Sequence, residues 1–509
     1  MLNFVDNQLN RVTMYRLVLY YLILLLGAAV LMSFAGILAY DPISMLFTIG
    51  LLLAACVFVN WVFSTTYGVP ANSESAYISA LILALIITPI TTIKSPTDIW
   101  FLGWAAVLAM ASKYIVAINK KHLFNPIAFA VALTYFTTNQ SASWWVGDAR
   151  MLPFVLVGGL LVVRKIGRTD LVISFFTTVF VTMLLFSLFD NADLGSAIQK
   201  TLLYSPLLFF AFIILTEPLS TPPTRGLRIA YGAITGLLFT PQFHLGSFYV
   251  TPELAILLGN IFSYIVSPKT RLVLRLKEKV RLGPDIYDFV FAPNRKFAYT
   301  PGQYMEWTLG HNNVDSRGNR RYFTLASSPS EHHLRLGVKF YKNSSTFKKA
   351  MLSMEKGQEI TAAQLDGEFV LPKNPRQKCV FIAGGIGITP FRSMIKYLLD
   401  ARQRRSITIF YANKTVDEIV YKDVFDRAEQ ELGIKTIYTV TDTNNLPASW
   451  AGQVGRISPQ LIRATVPQYK EYVFYISGSR EMVDSFKAIL KGLGVSKSQI
   501  KTDYFPGLA

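Results

Sequence analysis

The sequence predicts a polytopic α-helical membrane domain of about ten helices, followed by an antiparallel β-barrel domain and an α/β domain with a parallel sheet. Three observations support this fold class. The first half of the chain is a series of apolar runs, the next hundred residues alternate short β-rich runs with turns, and the last part alternates strands with helices. These changes of pattern place the domain boundaries at 1–266, 267–372 and 373–509.

The composition is that of a membrane protein. Of the 509 residues 51% are hydrophobic and only 16% are charged, whereas about a quarter are charged in a typical soluble domain. The net charge of +18 would raise nucleic acid as a partner of a soluble protein, but cytoplasmic loops explain much of it here. The lipid bilayer is therefore the expected partner, and nucleic acid is not.

The apolar runs lie between Arg16 and Val266, and each is a candidate membrane helix. Their cores lie near 17–38, 43–63, 76–90, 98–112, 124–137, 151–163, 170–188, 201–215, 229–240 and 251–266. Several later runs are shorter than the roughly 20 residues that a straight span needs. They predict tilted or broken helices that line an internal site.

Loop charge predicts the orientation. With the N-terminus in the cytoplasm, the inside loops carry Arg11, Arg16, Lys113, Lys120, Lys121, Arg164, Lys165, Arg168, Arg225 and Arg228, and the outside loops carry Lys94, Arg150 and Lys200. This distribution obeys the positive-inside rule. An even helix count also returns the chain to the cytoplasm where the soluble half begins. We predict a multi-pass protein of a bacterial-type cytoplasmic (inner) membrane, with its C-terminal module in the cytoplasm.

Few side chains suited to redox metals or ion relays lie in the apolar runs. The acids sit near the ends of the runs, so the sequence shows no buried acidic chain of the kind that relays protons or cations. His122 and His244 are expected on opposite sides of the bilayer, so they cannot supply the two axial pairs of a transmembrane haem wire. Two cysteines, Cys56 and Cys379, are too few for a four-thiolate iron–sulfur cluster within this chain. No metal site is predicted.

Three segments of the membrane half carry a family resemblance. They are SAYISALILALIITP at 76–90, KKHLFNPIAFAVAL at 120–133 and LTEPLSTPPTRGLRIAYGAITG at 215–236. Together they resemble the flavin-holding membrane proteins shared by the Rnf electron-transport complex and the sodium-translocating NADH:quinone reductase (Nqr), over most of residues 16–266. The resemblance implies a membrane-bound FMN or riboflavin, with Asn125, Pro126, Thr216 and Ser196 as candidate contacts.

One part of that family's pattern is missing. In the family a flavin is commonly joined by a phosphoester to a threonine in a Ser/Asp-Gly-Ala-Thr-like motif on the outer side. The corresponding stretch, an expected outer loop at 193–198, has Ile198 where the threonine would stand, which speaks against covalent attachment. The proline-rich loop 218–223 also has an alternative interpretation as plain helix termination.

The stretch RRYFTLASSP at 320–329 contains a candidate flavin site. In a strand Tyr322 and Thr324 point the same way, and they offer an aromatic plane and a hydroxyl. Arg321 offers a planar fork that matches a phosphate pair. These groups suit a cofactor with a flat ring at one end and a pyrophosphate in its middle. The alternative is an ordinary β-strand with a surface arginine.

Three further features follow in order. A helix start near Ser345 and Thr346 is rich in hydroxyls, which suits either a phosphate or ordinary N-capping. The apolar strand KCVFIA precedes GGIGITP at 384–390, where we expect Thr389 as N-cap and Pro390 as the first helical residue. The glycines allow a pyrophosphate to approach a helix N-terminus. SGSREMV at 477–483 opens another helix after a strand.

The order RxYxT, hydroxyl-rich helix start, GGxGxTP and SGxxxMV resembles the ferredoxin-reductase-like FAD/NAD(P) module over residues 270–509. The resemblance implies an NAD(P)H-dependent, FAD-containing oxidoreductase, with Tyr322 and Thr324 at the reacting ring. It implies FAD binding by Arg321, Tyr322, Phe323, Thr324, Ser345, Thr346 and Phe505. It implies NAD(P) binding by Gly384, Gly385, Gly387, Thr389, Pro390, Gly478 and Met482. Asp442 favours NADH, because a carboxylate would repel a 2′-phosphate, whereas Lys414 and Arg480 keep NADPH open.

The two halves together predict a membrane flavoprotein that passes electrons from cytoplasmic NAD(P)H, through FAD and a membrane flavin, to quinone or an extracytosolic acceptor. The hydrocarbon core is about 30 Å thick, so at least one redox group is expected within the membrane half. Two alternatives stay open. One is a membrane-anchored reductase with a cytosolic or quinone acceptor and no transmembrane path, and the other is a redox-driven cation pump.

Overall fold

The structure, a computed structural model, describes residues 5, 8–9, 12–67, 73–90, 96–118, 121–138, 140–190, 193–240, 243–245, 248–267, 271–315, 317–442 and 446–504. The chain divides into two compact units, Met1–Lys269 and Thr270–Ala509. The first is built from apolar helices, and the second contains two six-stranded sheets.

The helices of the first unit follow one another with short connections. Those in the described part are α1 (Met14–Phe34), α2 (Pro42–Thr66), α3 (Ser73–Ile86), α4 (Pro96–Ile115), α5 (Pro126–Thr138), α6 (Leu152–Ile166), α7 (Thr169–Asp190), α8 (Leu194–Leu203), α9 (Leu207–Ile214), α10 (Arg225–Phe239) and α11 (Pro252–Val266). Two-residue strands form the hairpins β1 (Ala117–Ile118) with β2 (Lys121–His122), and β3 (His244–Leu245) with β4 (Phe248–Tyr249).

Three of the described helices, α1, α2 and α7, are long and apolar enough to cross a membrane, and the bent pair α8 and α9 raises the number to four if it is one span. The predicted number of about ten spans therefore stays a prediction. Large apolar side chains cover the outside of these helices, with Leu24, Phe58 and Leu188 more than half exposed. A surface of this kind is stable against lipid rather than water.

The helical segment between Asp193 and Ile214 is interrupted by a bend, which agrees with the expectation of broken helices. Helices α8 and α9 meet at an angle of 64°, and α9 continues as a π-helix from Phe210 to Ile214. Pro206 lies at the break and has no backbone N–H to continue the helical ladder.

One sequence prediction in this region is wrong. The stretch 193–198, expected as an outer loop, forms the first turns of α8. The carboxylate of Asp193 accepts hydrogen bonds from the backbone N–H groups of Gly195 and Ser196, at 3.1 and 3.2 Å. This is an N-cap, which starts a helix at that point.

The first layer of the second unit is an antiparallel sheet with the strand order β8-β7-β10-β5-β6-β9. Its strands are β5 (Leu272–Gly283), β6 (Ile286–Pro293), β7 (Tyr304–Thr308), β8 (Arg320–Thr324), β9 (Leu334–Lys339) and β10 (Glu359–Asp366). Phe289, Phe291 and Trp307 fill its core together with Phe347 of helix α12 (Thr346–Ser353). Closure of this sheet into a barrel stays a prediction.

The second layer is a parallel sheet with the strand order β14-β13-β12-β11-β15-β16. Its strands are β11 (Cys379–Gly384), β12 (Ile407–Asn413), β13 (Lys435–Val440), β14 (Gln453–Val454), β15 (Val473–Gly478) and β16 (Ile500–Tyr504). The helices α13 (Thr389–Asp400), α14 (Lys422–Leu432), α15 (Pro459–Thr465) and α16 (Arg480–Gly492) connect or flank these strands.

The parallel sheet has a topological switch point. The chain runs from β11 outward to β14 on one side and then places β15 and β16 on the other side. The turns after β11 and β15 carry the two glycine motifs of the sequence. In open α/β sheets ligands bind at the carboxyl ends of the strands at such a point.

Candidate functional site

Tyr322 presents its ring on the outward face of β8. The side chain is 37% exposed, and its hydroxyl donates a 2.9 Å hydrogen bond to Glu306 on the neighbouring strand β7. The ring of Tyr304 packs edge-on against it, with the ring centroids 5.7 Å apart. Thr324, on the same face by strand alternation, is buried, and its hydroxyl has no hydrogen-bond partner among the described residues.

Arg321 lies on the opposite face of β8 and is buried against α12. Its Nη1 donates to the carbonyl oxygens of Arg317, Gly318 and Arg320 at 2.7, 3.2 and 2.6 Å. The guanidinium carbon lies 5.3 Å from the centroid of the Phe347 ring. Its Nε and Nη2 are buried and find no hydrogen-bond partner within the described part of the chain.

The surroundings of Arg321 hold an excess of positive charge. Burial lowers the pKa of Arg321 to about 10, with the charge of Asp315 opposing that shift and the charge of Arg317 adding to it. Burial, followed by the charges of Arg321 and Arg317, lowers the pKa of Lys348 to about 8. A bound anion would relieve both penalties and would pair the two unsatisfied guanidinium nitrogens. These residues therefore fit the pyrophosphate of FAD.

The hydroxyls of Ser345 and Thr346 already have partners in the protein. Ser345 is the N-cap of α12 and accepts from the backbone N–H of Lys348. Thr346 accepts from the backbone N–H of Asp315 at 3.0 Å and also bonds to His311. The carboxylate of Asp315 in turn accepts from the backbone N–H of Thr346 at 3.0 Å. Ordinary capping therefore accounts for these two side chains.

Of the two remaining predicted FAD contacts, Phe323 and Phe505, the structure describes only Phe323. Phe323 packs against Phe347, with the ring centroids 6.1 Å apart, so it joins the core beneath the flavin strand rather than its exposed face. Phe505 lies outside the described residues.

The glycines of the two motifs permit a close approach of two turns. A Cβ on Gly387 would lie 2.5 Å from the carbonyl oxygen of Ser477, and a Cβ on Gly384 would overlap the sulfur of Met482. Met482 also packs beside Gly478. Gly385 is different, because its φ of +52° favours glycine while a Cβ there would meet nothing within 4 Å. Gly385 thus leaves its backbone open to a ligand.

The helix after GGIGITP begins one residue earlier than the sequence predicts. Residues Gly385–Ile388 form a 3₁₀ turn that leads straight into α13, so Thr389 is the first helical residue and not the N-cap. Its hydroxyl donates to the carbonyl oxygen of Ile386 at 3.2 Å. Pro390 remains in the first turn, where the missing N–H costs nothing.

The segment that follows β8 is hydrogen-bonded to α13, the helix that begins in the GGIGITP motif. Arg392 of α13 donates to the carbonyl oxygen of Ala326 at 2.8 Å, and Ser393 donates to the carbonyl oxygen of Ser327 at 2.5 Å. Ala326 stands two residues after Thr324, and Arg392 stands three after Thr389. The segments that carry the two predicted cofactor motifs are therefore in direct contact.

Sequence reasoning missed two polar groups at the carboxyl edge of the parallel sheet. Ser477 is the second-last residue of β15 and pairs in register with Asp503 of β16. The Ser477 hydroxyl and one carboxylate oxygen of Asp503 are buried without a hydrogen-bond partner in the described chain, and burial raises the pKa of Asp503 to about 7. The sequence carried no signal for this pair, because the strand order that brings Asp503 beside Ser477 appears only in the fold.

In the first unit three of the four predicted membrane-flavin residues lie near one another. Asn125, which precedes Pro126, donates to the carboxylate of Glu217 at 2.8 Å, and Thr216 is the neighbour of Glu217 in the chain. The backbone N–H of Asn125 donates to Asn260 of α11, at 2.7 Å. Ser196 is exposed at the start of α8 and bonds to Asp193, so no described contact joins it to this cluster.

A second acid of the first unit is also buried. Glu253 at the start of α11 is 5% exposed and accepts from the indole N–H of Trp144 at 2.5 Å. Glu253 and Asn260 are seven residues apart on α11, which places them on one helix face. Glu253 lies at a helix end, as the sequence predicted for the acids, and it is buried there, while Glu217 is hydrogen-bonded to the buried Asn125.

Comparisons with known proteins match both halves of the chain. A model of the NQR2, RnfD, RnfE family matches residues 146–271, and a model of the oxidoreductase NAD-binding domain matches residues 381–488. NADH-cytochrome b5 reductase 1 of Ajellomyces capsulatus is 27% identical over 255 residues, which cover 47% of this chain and 81% of that protein.

Two further matches concern the C-terminal unit. The glycine betaine monooxygenase reductase subunit of Pseudomonas aeruginosa is 22% identical over 238 residues, 46% of this chain and 64% of the relative, so the chain covers less than two thirds of that protein. The FAD/NAD-binding domain of nitric oxide dioxygenase from Vibrio cholerae aligns with a TM-score of 0.41 and 20% identity, over 46% of this chain and 98% of that domain.

Residues 381–488 of the C-terminal unit match the oxidoreductase NAD-binding domain, and the unit is similar to reductases that use NADH. The same chain carries, at residues 146–271, a stretch that matches the NQR2, RnfD, RnfE family. The predicted family relationships and the oxidoreductase class are thereby confirmed. The resemblance of residues 16–145 to the same membrane family stays a prediction.

Proposed function

We propose that this protein is a membrane flavoprotein that takes electrons from cytoplasmic NAD(P)H, through FAD and a membrane-bound FMN or riboflavin, to quinone or an extracytosolic acceptor. The observation that carries the proposal is the hydrogen bonding of α13, through Arg392 and Ser393, to Ala326 and Ser327 just after β8, in a chain whose other unit is apolar. The NADH named in the b5 reductase relative supports NADH as the donor.

The residues of the C-terminal site have distinct proposed roles. When bound, FAD would accept a hydride from NAD(P)H and could release the electrons one at a time. Arg321 pairs with the pyrophosphate through Nε and Nη2. Tyr322 holds one face of the flavin ring, and Thr324 offers its hydroxyl near the reacting edge. Phe505 is proposed to cover the flavin, and Ser345 and Thr346 shape the phosphate end.

The nicotinamide dinucleotide is proposed to lie along the turns after β11 and β15. Gly385 leaves open space for its phosphates, and Thr389 and Pro390 present the start of α13 to them. Gly384, Gly387 and Gly478, with Met482 packed between two of them, let these turns approach each other. The approach narrows the site, which excludes water from the reacting rings.

The cluster of Asn125, Pro126 and Thr216 is the proposed contact of a flavin in the first unit. Quantifying the flavins of the purified protein tests the transmembrane path. Acid release followed by chromatography should give FAD and a second flavin in comparable amounts. A ratio of one FAD per chain and nothing else would leave a membrane-anchored reductase as the function. A haem Soret band would overturn the cofactor assignment.

The two acids favour a second candidate function, a redox-driven cation pump. Glu253 is buried at the start of α11, and Glu217 is hydrogen-bonded to the buried Asn125. Acidic side chains among apolar helices are expensive and typically mark ion or proton pathways. Proteoliposomes given NADH and a quinone should then take up sodium ions or protons, and Glu217→Gln should abolish the uptake. Electron transfer without any ion uptake would remove the pump.

A further inference from the structure

Arg392 of α13 and Glu331, in the segment between β8 and β9, form a two-pronged ion pair. The guanidinium Nη1 and Nη2 donate to the two carboxylate oxygens of Glu331 at 2.6 and 3.0 Å. Arg392 is 4% exposed. Two parallel bonds of this kind fix both the distance and the angle between the partners.

Neighbouring side chains extend this pair into a ring. Arg335 of β9 bonds to Glu331 through Nε and to the fully buried Asp288 through Nη1, at 3.5 and 2.5 Å. Asp288 also accepts from the hydroxyl of Tyr421, at 3.1 Å. The Arg392 guanidinium lies over the Tyr421 ring, 5.2 Å from its centroid, which closes the ring of five side chains. The antiparallel sheet contributes Asp288 and Arg335, and the parallel layer contributes Arg392 and Tyr421.

Within this ring, Arg392 and Glu331 each favour the charged form of the other. Burial by itself would raise the pKa of Glu331, but the hydrogen bonds and charge of Arg392 outweigh burial and leave that pKa below its ordinary value. The same pairing raises the pKa of Arg392 above its ordinary value, against the effect of burial. The bonds are therefore a permanent feature of the folded unit near neutral pH.

Arg392 lies close to both predicted cofactor motifs. The same Nη1 that holds Glu331 also donates to the carbonyl oxygen of Ala326, just after the flavin strand, while Thr389 lies one helical turn before Arg392. Gly337 of β9 packs against Thr389 and Tyr421 so closely that a Cβ would lie 2.8 Å from Thr389 and 2.7 Å from the Tyr421 hydroxyl. The segment after β8 and strand β9 are thus both held against the start of α13.

We propose that Arg392 and Glu331 are positioning residues, which set the alignment of the nicotinamide with the flavin for hydride transfer without touching either cofactor. This inference rests on the proposed function of the C-terminal site. Hydride transfer requires reacting atoms at about 3–3.5 Å, and a misplacement of about 1 Å costs on the order of a hundredfold in rate. Loss of the Arg392–Glu331 pair should therefore slow hydride transfer more than it weakens the binding of NADH or FAD.

The test compares Arg392→Lys and Glu331→Gln with the unmodified full-length protein. Lysine keeps the charge but cannot make the two-pronged pair and reach Ala326 as well. The flavin absorbance at 450 nm is followed by stopped flow at several NADH concentrations. We expect the limiting rate of flavin reduction to fall at least tenfold, with FAD content and the NADH concentration for half-maximal rate changed less than about threefold. A larger isotope effect with deuterated NADH should accompany the fall.

Arg427 and Glu431 provide the matched control. They form an ion pair of the same residue types within α14, on the exposed surface. Arg427→Lys and Glu431→Gln should leave the limiting rate unchanged. Should an Arg392 single variant fail to fold, the double variant Arg392→Met with Glu331→Met keeps the volume and avoids an unpaired buried charge. That double variant should fold and still show the slow rate.

The outcomes separate this inference from the proposed function. A limiting rate within twofold of the unmodified protein in Arg392→Lys, Glu331→Gln and the double variant would overturn the positioning role, even if thermal stability falls. Unmodified protein that binds no FAD, or whose FAD is not reduced by NADH or NADPH, would overturn the proposed function itself.

Discussion

Tyr322 and Glu306 face each other across neighbouring antiparallel strands, and the tyrosine hydroxyl donates to the carboxylate at 2.9 Å. Glu306 is 3% exposed and also pairs with Arg320 at 3.5 Å. The outward ring of Tyr322 is therefore held at its far end by a buried acid. The ring is oriented before any ligand arrives, which lowers the entropy cost of stacking a flavin on it.

This pairing separates two roles of Tyr322. We expect Tyr322→Phe to retain FAD, because the ring remains, but to destabilise the protein by about 1–3 kcal/mol, because the buried Glu306 loses a donor. Tyr322→Ala should in addition lower FAD affinity about tenfold or more. FAD titration of the stripped protein and thermal unfolding measure the two effects. Equal FAD loss in both variants would argue that the hydroxyl, rather than the ring, holds the flavin.

Arg321 offers a prediction about the phosphate end. Two buried nitrogens of its guanidinium lack a hydrogen-bond partner among the described residues, and charge-assisted hydrogen bonds contribute about 1.5–3 kcal/mol each. Arg321→Met should therefore weaken FAD binding by roughly a hundredfold. Arg275→Met is the control, since Arg275 is exposed and pairs with Glu359 on the surface of the same sheet. The fraction of FAD that each variant retains through gel filtration measures the difference. Equal retention by Arg321→Met and Arg275→Met would contradict the contact of Arg321 with the pyrophosphate.

Lys348 gives the FAD site a pH dependence. Burial and the charges of Arg321 and Arg317 bring its pKa to about 8, below its ordinary value. The charged form is therefore disfavoured in the folded protein without FAD, and stability rises as pH increases from about 8 toward the ordinary lysine pKa of about 10.4. The charged form is also the one that attracts phosphate.

We therefore expect the affinity of the stripped protein for FAD to fall as pH rises through about 8. Lys348→Gln should bind FAD more weakly at pH 7 and should lose most of this pH dependence. Fluorescence quenching of FAD at pH 6.5 to 9.5 (roughly the range over which this lysine titrates) measures the effect. A wild-type affinity that is constant over this range would show that Lys348 takes no part in phosphate binding.

The sequence predicted those features that local chemistry determines. Strand alternation placed Tyr322 and Thr324 on one face, and the glycine-rich turn after an apolar strand was expected to open a helix, as it does at Thr389. The partner of Arg392 was not predictable, because Glu331 lies 61 positions away in the segment between β8 and β9. The same holds for Asp315, which accepts from Thr346 although the two are 31 positions apart, and which leaves the predicted phosphate hydroxyls already bonded. Long-range side-chain pairing depends on strand order, which a single sequence does not specify.

Asp503 leads to the last prediction, which concerns stability. Burial raises its pKa to about 7, above the ordinary aspartate value of about 3.9. The neutral carboxyl is therefore the form that the fold favours. Its contribution to stability is fully present below about pH 4 and is lost as pH rises through about 7, where the buried oxygen must ionise. A neutral side chain of the same shape should avoid this loss.

We expect Asp503→Asn to raise the unfolding temperature of the C-terminal unit at pH 8 by a few degrees, and to change it little at pH 4.5. Asp484 provides the control, because this surface residue pairs with Arg480 within α16, and Asp484→Asn should show no such gain at pH 8. Differential scanning fluorimetry of the full chain in detergent at the two pH values gives both numbers. An Asp503→Asn variant that is destabilised at pH 8 as well as at pH 4.5 would show that the carboxylate is ionised and paired in the native site. In that case its negative charge, rather than its burial, would be the property that the nicotinamide edge of the sheet requires.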